Sequence, residues 1–190
     1  MKLTNFSIFI LCLLFVAVSA CSIRPKASAL HDLGYANSDN GITETVTQTD
    51  NTPPVTVESP KWLEDSRIRY RFLFSAPTQV RSYAMDRWIA SPPELFEQLL
   101  KNSRRQWQTP LMIELTVFEQ QFDTPTSAKV VMHFTVTTVP NEKSARSSKK
   151  EFKLRRACAT ADTNGAVNAF ADLTRQAIEQ IQTWLMLQPS

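Results

Sequence analysis

With 190 residues the chain can hold one domain of ordinary size and a surplus at the N-terminus. Its 21 basic and 18 acidic side chains leave a formal net charge of +3, too small an excess to argue for nucleic acid. Glycine is nearly missing: Gly34, Gly41 and Gly165 are the only three, so neither a phosphate-cradling P-loop nor a dinucleotide fingerprint can be built.

In chain order, Lys2 supplies a short positive region and Phe6 to Ala17 an apolar run of about a dozen residues. That run is shorter than the roughly 20 residues a helix needs to span a bilayer. Small residues follow at Val18-Ser19-Ala20, so residues 1–20 are predicted to be a secretory signal peptide. Val18-Ser19-Ala20-Cys21 resembles the bacterial lipobox. That resemblance implies cleavage before Cys21, acylation of its sulfur and new amino group, and anchoring of the mature chain in a membrane. The alternative is an ordinary signal that leaves Cys21 a free thiol. Ser22 stands where aspartate would favour inner-membrane retention in enterobacterial sorting, which implies an outer-membrane address. Cys12 leaves with the signal and Cys21 takes lipid, so Cys158 stands alone and no internal disulfide is expected.

Residues 21–54 are predicted to be the lipidated N-terminus and a flexible tether. From Ala36 to Pro54 the chain is rich in Asn, Ser, Thr and Asp and cannot bury enough apolar surface to offset its ordering entropy. Extended, it would hold the domain tens of ångströms from the membrane, at about 3.3–3.6 Å per residue. His31-Asp32-Leu33-Gly34-Tyr35 is a candidate extra segment of the domain.

The domain is predicted over residues 55–190. Val55-Thr56-Val57 is a candidate first strand. Arg67 to Phe74 alternates, with Ile68, Tyr70, Phe72 and Phe74 inward and Arg67, Arg69 and Arg71 outward. Gln79 to Tyr83 is its candidate short partner. Ser91 with Glu94 forms a Ser-x-x-Glu capping box, and Pro92 suits the first helical position. Leu95, Phe96, Leu99, Leu100 and Trp107 follow at helical spacing, with Lys101, Arg104 and Arg105 toward the C-terminal end, and Pro110 stops the helix. Leu111–Phe122 and Ala128–Val139 alternate around a turn-forming link, and Lys149–Cys158 is a third strand. A long final helix, capped near Asp162, Thr163 or Asn164, places Val167, Phe170, Leu173, Ala177, Ile178, Ile181, Trp184 and Leu185 on one face. This order predicts a single α+β domain, a mixed or mostly antiparallel sheet with two helices packed on one face.

Nothing in the sequence forms a catalytic constellation. No nucleophile elbow and no zinc-like ligand spacing occur, and His133 is expected on the outer side of its strand. Cys158 reads as a small buried hydrophobe, with a reactive thiol, an intermolecular disulfide or a pairing with His133 as the sharper alternatives. The chain is expected to be no enzyme and to hold no metal or cofactor beyond the lipid on Cys21. Three features are candidates for partner binding. Arg67, Arg69 and Arg71 form either a solvated strand face or a surface for an acidic partner or lipid headgroups. Arg87 and Trp88 are either plain packing or a partner-facing anchor, because Trp and Arg are enriched at interface hot spots. The run Lys143, Arg146, Lys149, Lys150, Lys153, Arg155 and Arg156 is either a binding feature or a soluble loop and an edge strand whose lysines discourage strand addition.

Lipobox, His31-Asp32-Leu33-Gly34, Trp62-Leu63, Ile68-Arg69-Tyr70-Arg71, Tyr83-Ala84, Arg87-Trp88 and Pro92-Pro93 together resemble the ABC-type transport auxiliary lipoproteins. These are the PqiC-like partners of mammalian-cell-entry (MCE) transport systems. The specific part of the resemblance is Lys61 to Leu100, and His31 departs from it where an aromatic is expected. The resemblance implies a non-catalytic docking component of lipid traffic between inner and outer membranes. It would be lipid-anchored at the outer membrane and face the periplasm, with an MCE-family membrane protein as partner. A homo-oligomer, a ring around the end of a conduit, is a further expectation. The rival expectation is a generic lipoprotein that binds cell wall or assembles another envelope machine.

Overall fold

The structure is a computed structural model that describes residues 27–34, 53–103, 107, 109–140 and 147–188. The signal peptide, Cys21, Tyr35, Arg104, Arg105, Lys143 and Arg146 lie outside the described residues.

One seven-stranded sheet carries two helices. The strands are β1 (Ala29–His31), β2 (Val55–Glu58), β3 (Arg67–Phe72), β4 (Ala76–Trp88), β5 (Leu111–Thr124), β6 (Ser127–Thr138) and β7 (Lys149–Ala157). The helices are α1 (Pro92–Asn102) and α2 (Thr163–Met186). The sheet runs β1-β4-β3-β5-β6-β7, with β2 also on β5. It is mixed. β4 is antiparallel to β3, and β5, β6 and β7 form an antiparallel meander, whereas β1 on β4, β2 on β5 and β3 on β5 are parallel. Because β6 lines one side of β5 from end to end, β2 and β3 share the other side. A 3-10 turn, Lys61–Leu63, separates them, and they act as one interrupted strand.

Both helices lie on the same face. Across the meander, Leu115, Phe134 and Phe152 stand opposite one another and therefore share a face. Phe134 meets Phe96 of α1 at 5.5 Å and stacks on Phe152 at 4.9 Å, and Phe152 meets Trp184 of α2. The α+β layer expected from the element order is the one observed.

The helix ends follow local chemistry. Ser91 N–H and Oγ both donate to Glu94 Oε2, which holds that carboxyl below its ordinary range, and Pro92 follows. At α2 the cap is Asp162, whose Oδ1 accepts from Gly165 N–H at 2.8 Å. That bond, with Thr160 Oγ1, lowers the Asp162 carboxyl too. A Cβ on Gly165 would stand 2.0 Å from the Thr160 carbonyl oxygen, so only glycine lets the preceding turn lie this close to the helix. Gly165→Ala should destabilise the domain by about 1–3 kcal/mol through overpacking, measured by urea unfolding. A loss below about 0.5 kcal/mol, the range of neutral surface changes, would show that the turn moves aside freely.

The structure departs from the sequence expectations in four places. Helix α1 ends at Asn102, and Trp107 is buried beyond it rather than on it. The partner of β3 is not the short Gln79–Tyr83 but all of Ala76–Trp88. Two register shifts interrupt its pairing with β3, which hides the period in the sequence. Phe74 lies past the end of β3 and is exposed.

The fourth departure concerns the N-terminus. Residues 21–54 are not all tether, because Ala29–His31 pairs with Asp86–Trp88 at the outer edge of β4. Leu33 beside it is buried in the core. The fold therefore begins before residue 55. β1 satisfies backbone groups of an edge that would otherwise be open, and Leu33 adds an apolar side chain to the core.

Candidate interaction surface

The face of the sheet opposite the helices carries Arg67, Arg69, Arg71 and Arg87, whereas Trp88 faces the core. Leu30 of β1, Arg87 of β4 and Arg67 of β3 stand opposite one another in register and form a row across three strands. All three are exposed. Arg69 and Arg71 follow Arg67 on the same face, as the alternation predicted, but their surroundings differ.

Arg69 is only 7% exposed, so it is no solvated partner surface. Its guanidinium donates to the carbonyls of Trp62 and Arg67, pairs with Asp65 at 2.9 Å and lies over the Trp62 ring. Arg71 makes a bidentate pair with Glu119, both bonds at 3.0 Å, and reaches the Pro77 carbonyl at 2.9 Å. The hydrogen bond to Glu119 raises the Arg71 pKa. Glu119 is itself buried on this helix-free face, so its charge requires a partner. Arg69 thus ties the 3-10 turn to β3, and Arg71 ties β3 to β5 and β4. Both are committed to the fold, which corrects their assignment to a partner surface.

Trp88 is corrected likewise. It is 1% exposed and sits edge-on to Phe118 and Phe170, whose rings stack at 4.0 Å. It alternates with Arg87: one faces the core and the other solvent. The Arg87 side chain forms no ion pair or hydrogen bond with the described residues. Arg67 is 59% exposed at its side chain, with Asp65 3.7 Å away. Of Arg67, Arg69, Arg71, Arg87 and Trp88, Arg67 and Arg87 alone remain available. Two neighbours escaped the sequence reading: Leu30 at 65% exposure and Trp62 at 49%. The adjacent pair Trp62-Leu63 gave no hint that the indole would be the exposed member and Leu63 the buried one.

A polar cluster lies on the other face, at the N-terminus of α2. His31 and Asp86 side chains meet at 2.8 Å, and Thr163 Oγ1 donates to the other Asp86 oxygen at 3.4 Å. Tyr83 donates to Gln120 Oε1 at 2.7 Å, and Gln120 Nε2 reaches the Asp162 carbonyl and Cys158 Sγ. Burial pushes the Tyr83 hydroxyl and the Cys158 thiol up, so both stay protonated at neutral pH. Among the described residues, the thiol's hydrogen-bond partner is the Gln120 amide. His133 opposes Lys153 on the helix-free face, whereas Cys158 sits beside Gln120 on the helix side, so the two cannot pair. Burial, with the neighbouring Lys153 charge, lowers the His133 pKa.

An open groove of about 910 Å³ between β2 and α1 is lined by Glu58, Glu64, Glu94, Glu97 and Lys101. Two of these carboxylates are already engaged, Glu94 by Ser91 and Glu97 by Val57 N–H and Lys101. Burial pushes Glu97 up, yet its two hydrogen bonds outweigh that and hold it below its ordinary range. Among the described residues no group of three or more His, Cys, Asp or Glu is placed to hold a metal ion. No described helix is long and apolar enough to cross a membrane.

No protein-family model matches the chain, and no curated protein matches it. Solved structures do. The crystal structure of protein XCC0632 from Xanthomonas campestris, of the DUF330 family, superposes with a TM-score of 0.60 at 14% identity. The match covers 84% of this chain and 91% of that one. A second crystal structure, described only as an uncharacterized protein, gives a TM-score of 0.59 at 13% identity over 83% of this chain and 98% of its own. At these identities the likeness is one of fold, and in fold this chain is similar to the DUF330 protein XCC0632.

Proposed function

We propose that this chain is an outer-membrane-anchored auxiliary lipoprotein of an MCE/ABC-type lipid transport system, a non-catalytic docking component between the inner and outer membranes. The observation that carries the reading is Val18-Ser19-Ala20-Cys21 directly after an apolar signal segment and shortly before a folded domain. A membrane-anchored adaptor needs such a module: a covalent lipid at one end and a rigid surface to receive a partner. The motifs behind the family resemblance support it as scaffold, since Leu63, Ile68, Trp88 and Pro93 all pack inside the domain.

Crosslinking in cells followed by capture of the chain tests the proposal. Recovery of an MCE-family membrane protein is the expected result. Recovery of cell-wall fragments alone would overturn it in favour of a cell-wall-binding lipoprotein.

A further inference from the structure

Ala29, the first residue of β1, comes only eight positions after Cys21. At about 3.3–3.6 Å per residue, that link reaches at most about 26–29 Å when fully extended. The link enters the fold at one edge of the sheet, where β1 lies outside β4. Strands lie about 4.8 Å apart, so β7 at the opposite edge is roughly 24 Å farther across the sheet. A membrane anchor at Cys21 therefore holds the β1 corner within about 26–29 Å of the bilayer, whereas β7 is free to stand roughly 24 Å farther away.

What lies at that corner suits headgroups. Leu30, Arg87 and Arg67 form one exposed row, and Arg69 connects it to Trp62, whose indole is half exposed. Two apolar side chains, one of them an amphipathic indole, flank two arginines with little or no carboxylate of their own. Trp partitions to the membrane–water interface, and exposed cations near it are drawn to anionic lipids. The far edge offers a contrast. Lys149, Lys153 and Arg155 of β7 are cationic, but β7 has no large exposed hydrophobic residue. Arg24 and Lys26 in the link add charge of the same sign beside the anchor.

We propose that Leu30, Trp62, Arg67 and Arg87 form a docking surface for anionic phospholipid headgroups, which lays the β1 corner of the helix-free face on the bilayer that holds the acylated Cys21. This rests on the lipid-anchor reading of Cys21. The remaining tryptophans, Trp88, Trp107 and Trp184, are buried at 1%, 5% and 8% exposure, so Trp62 alone can meet lipid.

The test uses the acylated full chain in vesicles of phosphatidylcholine and phosphatidylglycerol that carry brominated acyl chains, which quench indoles at short range. The expected result is strong quenching of the wild-type chain and a several-fold smaller effect in Trp62→Phe. The double variant Arg67→Glu with Arg87→Glu should lose most of the quenching while still floating with the vesicles, because its anchor is intact. Quenching in wild type equal to that of Trp62→Phe, in chains that float, would overturn the docking surface and leave the anchor reading standing. Wild-type chain that neither floats nor carries acyl mass on Cys21 would overturn both. Lipid-independent shielding of Trp62 that grows with protein concentration would assign the surface to a second copy, and the proposal would fall.

Discussion

Replacing Trp88 by alanine should destabilise the domain by about 3–5 kcal/mol, the range for truncating a buried aromatic. Trp88 bridges layers: it lies on β4 and meets Phe118 of β5 and Phe170 of α2 at 5.9 and 5.6 Å. Its removal leaves the stacked Phe118–Phe170 pair without its edge-on neighbour, and a cavity that the sheet cannot close. Against a typical total stability of about 5–15 kcal/mol, this is a severe loss. Arg87→Ala, one residue earlier, should fall within about 0.5 kcal/mol of wild type, because its side chain is exposed and unpaired among the described residues. Urea unfolding of both variants checks the contrast. Equal, small losses would mean that Trp88 is dispensable to packing and would restore it as an interface anchor.

Cys21→Ala should abolish acylation and move the domain from the membrane fraction to the soluble one. Each buried CH₂ of an acyl chain contributes about 0.8 kcal/mol, and several chains together make the anchor stable. Without them no described helix can span the bilayer. The Arg67 and Arg87 row, two cations with modest apolar area, is too small to retain the chain alone. Labelled palmitate and fractionation after lysis read the result. Palmitate entering the alanine variant would show that the lipid is carried elsewhere and would remove the lipobox reading.

The parts of the fold that were legible in the sequence are those with a strong period or a local motif. The meander β5–β6–β7 announces itself by alternation, and both helices by their caps and apolar faces. The α+β layer follows from those elements. What escaped was set by tertiary contact. Three residues of β1 carry no readable period, and the partner that makes them a strand lies 57 positions away, at Asp86–Trp88. Alternation correctly put Arg67, Arg69 and Arg71 on the side away from the helices. It could not tell that Glu119, 48 positions from Arg71, is buried there and must be neutralised. Arg87-Trp88 looked like an interface pair by residue type, yet strand alternation alone sends one member inward.

The placement of β1 also decides how the molecule bears load. Any pull on an acylated Cys21 arrives at Ala29, and β1 is held at the periphery by a three-residue ladder, the His31–Asp86 contact and the burial of Leu33. That clasp is small beside the hydrophobic core that holds the rest of the domain. Under tension from a partner of the proposed kind, the clasp should be the first part to yield. Its release would lengthen the link between Cys21 and the rest of the domain beyond those eight residues. In a chain acylated at Cys21, a latch inside the fold would set the working distance between membrane and domain.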